Sequence, residues 1–175
     1  RNDSLAALLG LGEWIDPTDR DFDPRAVRSA LRKLHQVAEQ KFCKAKIPAC
    51  LSRNVARLSA LVGLSDSDRR ILEFVVLIHA EQLLDDTADY LGQLTSIKVF
   101  RVLAGVLDLT EKEVRSSLSM MGILAQSGLV TVARKGTNPL RAKLDLLSRE
   151  FADIMSSPET DLINLLRGTV TPSTP

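Results

Sequence analysis

From Val27 to Leu118, Leu, Val, Ile and Ala return every third or fourth position, in runs interrupted at Pro48, Gly63, Gly92 and Asp108. A period near 3.6 gives each run one apolar stripe and one polar face, so most of the chain is committed to helices that pack together. Aromatic residues are only 4% of the chain, which leaves aliphatic side chains to fill the core and favours helices over a β-sandwich. At 175 residues there is material for one substantial core or two small ones.

The first runs are bounded by turn and cap chemistry. Leu5 to Trp14 reads as a short helix or packed arm, and Asp16-Pro17 and Asp23-Pro24 as helix starts, each with Asp at the cap and Pro at the first helical position. Val27, Ala30, Leu31, Leu34, Val37 and Ala38 predict an amphipathic helix over 24–42, with Arg25, Arg28 and Arg32 on its other side. Leu51, Val55, Leu58 and Val62 predict a second helix, stopped at Gly63. Ser65 with Asp68 opens a third, apolar around most of its girth from Ile71 to Leu83 and ended or turned by Asp85–Asp89 and Gly92. Ile97 to Leu107 is a fourth. Thr110 and Glu113 form a T-x-x-E capping box for a fifth, which carries Val114, Leu118 and Met121.

After Gly128 the period changes. Leu129 to Ala133 is compact and β-branched, residues 135–139 are rich in turn formers, and Leu140 to Leu146 alternates apolar with charged residues, so two half-buried strands are predicted. Phe151, Ile154 and Met155, then Leu162, Leu165 and Leu166, read as short closing helices, and Gly168–Pro175 as a linker. The resulting expectation is a mainly α chain in three parts. Residues 1–63 form a basic helical segment, 64–156 a winged-helix-like domain with 129–147 as its β-hairpin wing, and 157–175 a short helix and linker. A plain helical bundle with an incidental hairpin fits the same pattern.

Net charge is only +1, but it is segregated. Between Arg20 and Arg57 ten bases face three acids, Ile71 to Ile97 holds five acids and no base, and Val114 to Leu144 holds five bases and no acid. Such blocks either pair across the fold or give a bipolar surface suited to oriented docking. The contact residues expected from them are Arg25, Arg28 and Arg32 on the first long helix and Arg134, Lys135, Arg141 and Lys143 on the wing.

Catalytic signatures are missing. Lys135-Gly136-Thr137 lacks the preceding glycine and the strand-to-helix setting of a phosphate loop, so ATP hydrolysis within these residues is not expected. His79-Ala80-Glu81 matches half of a zinc-deaminase motif without the second Cys pair, and reads as a core or surface histidine. His35 sits among bases and is expected to be exposed. Asp85, Asp86 and Asp89 lack the ligand spacing of a calcium loop, and Cys43 and Cys50 read as reduced thiols rather than a disulfide or metal pair. No catalytic, cofactor-binding or metal-ligating residue is assigned. No apolar run has transmembrane length and no secretory signal opens the chain, so the expected setting is cytoplasmic. Duplex DNA is the alternative partner to protein, but the first turn of the fifth helix carries Glu111 and Glu113, and carboxylates there oppose phosphate.

The segments LSRNVARLSALVGLSDSDRRILEFVVLIHAEQLLDDTADYLGQL and GILAQSGLVTVARKGTNPLRAKLDLLS lie between Leu51 and Gly168. In them the chain resembles the region preceding the ATPase module in bacterial AAA-family ATPases of the cell-division-cycle kind. The resemblance implies a motor beyond Pro175 that binds ATP and magnesium, and a parent protein that is a homo-oligomer. It also implies that this excised region selects a protein substrate or adaptor for its own ATPase module.

Overall fold

The computed structural model describes residues 24–42, 46–148 and 150–158. The expected arm at Leu5–Trp14, the caps at Asp16 and Asp23, Cys43 and the segment from Leu162 to Pro175 lie outside these residues. The chain divides into two compact units, Arg1–Lys46 and Ile47–Pro175. Leu51, Val55 and Leu58, which lie before the expected division at 63/64, belong to the same buried cluster as the helices that follow. The described residues are mainly helical with one small antiparallel hairpin, and none of their helices is long and apolar enough to cross a membrane.

In the first unit the described element is α1 (Pro24–Phe42), whose bounds match the stretch predicted from periodicity. The second unit begins with α2 (Ala49–Val62), which ends where Gly63 enters the left-handed region at φ 76° and donates its N–H to the Ser59 carbonyl. α3 (Asp66–Ala80) starts at a complete capping box. The Ser65 hydroxyl accepts the Asp68 N–H, and the Asp68 carboxylate accepts the Ser65 N–H. Ile71, Leu72, Val75, Val76 and Ile78 are fully buried, so α3 is enclosed on most of its girth. It packs against the other helices of this unit and against the second strand of the hairpin.

The third helix does not run on through Leu83. Burial stops after Ala80, and the backbone turns extended at Glu81 (φ −106°, ψ 104°) into α4 (Gln82–Ala88) and a 3₁₀ turn (Asp89–Leu91). Of the acids expected to end a helix, Asp85 and Asp86 thus lie within a second, shorter one and Asp89 opens the 3₁₀ turn, and Leu83 is exposed. α5 (Ser96–Leu107) is capped by Thr95, and α6 (Glu111–Ser117) by the predicted Thr110–Glu113 box. α6 stops before Met121. Leu118 leaves helical geometry, a turn follows, and α7 (Ile123–Gln126) resumes.

The hairpin pairs β1 (Val130–Val132) with β2 (Leu144–Leu146), with Val130 opposite Leu146 and Val132 opposite Leu144. The second strand is shorter than expected, because Leu140–Lys143 forms a helical turn, α8. Pro139 presets its entry, the Lys143 N–H reaches the Pro139 carbonyl, and Asn138 just before it is bridged to Leu94 in both directions. The apolar alternation of 140–146 therefore serves a helical turn and a strand in succession. α9 (Phe151–Ser156) closes the unit against α2, where Asn54 Nδ2 donates to the carbonyls of Met155 at 3.0 Å and Ser157 at 2.9 Å.

Candidate functional site

The four bases expected on the wing go to three different environments. Lys143 is fully buried, and its Nζ donates to the carbonyls of Ala133 (2.5 Å), Gly136 (2.9 Å) and Lys135 (3.1 Å). That removes it from the contact surface. The helical turn of α8 points it under the loop, and three carbonyl acceptors meet the three donors of an ammonium. The inside of this loop is thus lined by carbonyl oxygens, the reverse polarity of a phosphate cradle. Arg141 is engaged as well, with Nη1 2.7 Å from Asp85 Oδ2. Arg134 and Lys135 remain exposed on the outer side of the loop. The Ser96 hydroxyl, at the start of α5, lies 3.4 Å from the carbonyls of both Ala133 and Arg134, which ties the loop to the helical body.

Arg134 borders a groove of about 380 Å³ together with Phe100, Arg115, Leu118, Ser119 and Met120. Its floor is made by α5 and α6. The Arg115 guanidinium lies over the Phe100 ring, 5.3 Å from the centroid, which gives a flat surface both apolar and cationic. Glu111 holds that guanidinium from the side (3.3 Å) and pairs with Arg101 (3.2 Å). Glu113 is turned back onto Thr110. The hydroxyl and amide hydrogen bonds from Thr110 hold its carboxyl below the usual range, so it stays charged as the cap.

One wall of the groove is Met120, on a turn that exposes it at 73% and its chain neighbour Met121 at 80% of their surface. Leu118 anchors the turn in the core, and the Gly122 N–H closes it on the Ser119 carbonyl at 3.0 Å. A Cβ on Gly122 would lie 2.4 Å from the Ser117 carbonyl oxygen and 2.8 Å from that of Ser116, so the close approach of the turn to the end of α6 needs glycine. The sequence reading carried Met121 along the fifth helix and missed this wall. The signal available was Met-Met-Gly, six residues before the next glycine at Gly128.

A second cleft, of about 580 Å³, is lined by His79, Asp85, Asp89, Pro139, Arg141, Ala142 and Asp145. Two of its polar groups already serve the fold. His79 Nε2 donates to the Leu144 carbonyl at 2.7 Å, and Arg141 is held by Asp85. Among the described residues no group of three or more His, Cys, Asp or Glu side chains is placed to hold a metal ion. Cys50 is a half-buried free thiol.

In the first unit, Arg25, Arg28 and Arg32 are exposed on α1, as are Leu31, Leu34 and Val37 on its apolar stripe. Comparison with protein-family models, curated proteins and solved structures finds no match to this chain.

Proposed function

We propose that this chain is a non-catalytic recognition region that captures a protein segment for a motor elsewhere in a longer polypeptide, an AAA-type ATPase in a cytoplasmic setting. ATP and magnesium would belong to that motor, and the chemistry assigned to the residues described above is binding. The observation that carries the reading is the Met120 wall, with Met121 exposed beside it on the same turn, next to the Phe100–Arg115 floor. Two polarisable, unbranched side chains stand in water next to a cationic aromatic surface, on a turn too tight to collapse. Methionine adapts to varied apolar partners, and an apolar patch rimmed by polar groups marks contact surfaces. With Arg115 and Arg134 lining it and Lys135 next along the loop, the groove suits an acidic, apolar segment of a protein substrate or adaptor.

The order of α3, α5, the capped α6, β1, the loop and β2 supports a winged-helix reading of the second unit, with Leu94 bridged to the wing at Asn138. Duplex DNA is the weaker occupant. α6 has only seven residues, Glu111 and Glu113 occupy its first turn, and of the four wing bases one is buried and one is paired. A fluorescein-labelled helical peptide of Glu and Leu tests the assignment by anisotropy, with labelled duplex DNA as the parallel probe. Peptide binding that falls at least about tenfold in Met120→Asp and in Arg134→Glu/Lys135→Glu is the expected result. Salt-sensitive binding of duplex DNA without peptide binding would replace this reading with the nucleic-acid one.

A further inference from the structure

The chain has three methionines, and the fold treats them in two ways. Met155, on α9, is fully buried in the core cluster. Met120 and Met121 stand in water on the turn after α6, the most exposed large apolar side chains among the described residues. The turn cannot draw them in. Leu118 already fills the core before it, and Gly122 approaches the Ser116 and Ser117 carbonyls as closely as a glycine allows. Both thioethers are therefore open to an oxidant that cannot reach Met155. They differ in what they face. Met120 lines the groove with Phe100, Arg115 and Arg134, whereas Met121 lies outside its lining.

A thioether is apolar and adapts to irregular contacts, whereas a sulfoxide is polar and chiral. We propose that Met120 is an oxidative modification site whose sulfoxide shuts the groove, an inference that rests on the capture reading above. The oxidant is a hydroperoxide. The sulfur lone pair attacks a peroxide oxygen, and an S–O bond forms as the O–O bond breaks. The proton on the transferred oxygen passes to the departing hydroxide or alkoxide, which leaves as water or alcohol. Sulfur gives up two electrons and the peroxide takes them. At Met120 the new oxygen must lose its water when an apolar segment covers it, which opposes binding. It is also a hydrogen-bond acceptor in a groove lined by Arg115 and Arg134, so it competes for the guanidiniums that draw an acidic segment. Met121 is at least as accessible, but its sulfoxide stays in solvent beside the groove and leaves it open. The change is reversible, because sulfoxide reductases regenerate the thioether.

Graded hydrogen peroxide on the full chain, read by tandem mass spectrometry, is the test. One oxygen should be added to Met120 and one to Met121 while Met155 stays reduced. Affinity for the labelled Glu/Leu peptide should fall at least about tenfold once Met120 is oxidised, with the helical circular dichroism signal unchanged. It should return after treatment with the two epimer-specific sulfoxide reductases and dithiothreitol. Partly oxidised protein passed over immobilised peptide reads each sulfur without any substitution. The retained chains should be depleted of Met120 sulfoxide and not of Met121 sulfoxide. Met120→Leu should abolish the drop between untreated and treated protein, whatever its starting affinity, and Met121→Leu and Cys43→Ser/Cys50→Ser should keep it. Capture that persists with Met120 oxidised overturns this inference and leaves the capture reading standing. So does a loss that follows Met121 or the cysteines, one that comes only with unfolding, or a Met155 that reacts in step with the other two. A reduced chain that does not bind the peptide overturns both.

Discussion

Gly122→Ala and Gly105→Ala make the same chemical change and should move stability in opposite directions. At Gly122 the backbone sits at φ −72° and ψ 149°, which alanine adopts freely, so no conformational penalty is involved. The cost is the methyl group itself, placed 2.4 Å and 2.8 Å from two carbonyl oxygens at the end of α6. Both obstacles are backbone, and neither can swing aside as a flexible side chain would. Relief requires the 118–122 turn to lift away from α6, an overpacking cost of about 2–3 kcal/mol. For a chain of this size that is a fall in Tm of roughly 5–10 °C. At Gly105, inside α5, an added Cβ meets nothing within 4 Å, and the residue is exposed. There alanine contributes helix propensity alone, about 0.5–1 kcal/mol of added stability and a Tm rise of about 1–4 °C. Thermal and urea denaturation followed by circular dichroism read both changes. The lifted turn also carries Met120, so peptide capture should weaken in the first variant and stay level in the second. A Gly122→Ala protein melting within about 1 °C of the parent, or two substitutions of the same sign, would refute the steric argument.

Three further outcomes follow from the buried and titrating groups. Lys143→Met keeps the side chain's bulk but removes three donors from the loop carbonyls. It should cost about 1–3 kcal/mol and speed amide exchange across residues 133–137, and unchanged exchange there would contradict the anchoring role. Glu113 has its folded-state carboxyl held below the ordinary value, so its contribution is present above that value and lost as pH falls through the folded one. The acid limb of a Tm-against-pH curve should therefore flatten in Glu113→Gln. Burial raises Glu73 above the ordinary 4.5, opposed by the Ser52 hydrogen bond and the nearby Arg69, so its sign is reversed. The folded state holds the proton more tightly, and stability drops as pH rises through the window between 4.5 and the folded value. Glu73→Gln should raise Tm at neutral pH, with the gain disappearing near about pH 4.

Where local chemistry decides structure, the sequence was a sufficient guide. Ser65 with Asp68 and Thr110 with Glu113 are self-contained hydrogen-bonding units, and Gly63 ends its helix through its own backbone freedom. The span 24–42 was readable because a 19-residue helix repeats its period five times. Failures came where distant partners decide. Seven alternating residues from Leu140 to Leu146 satisfy a strand pattern, yet Pro139 and the Leu94–Asn138 bridge start a helical turn within them. That turn reverses the role of Lys143, since a lysine reads as solvated unless three carbonyls from its own loop are known to await it. The break at Glu81 has no proline or glycine to announce it. The groove at Phe100 and Arg115 joins residues from two helices, which periodicity places on helices but does not bring together.

The ammonium beneath the hairpin loop separates form from lettering. Lys143 grips main-chain oxygens, which every residue type supplies, so the path of the chain from Ala133 to Gly136 is indifferent to the side chains facing outward. Residues 134, 135 and 137 can be rewritten in charge or size while the loop keeps its shape. Grafting acidic or aromatic side chains there offers a route to redirect what the tip meets without rebuilding the unit beneath it.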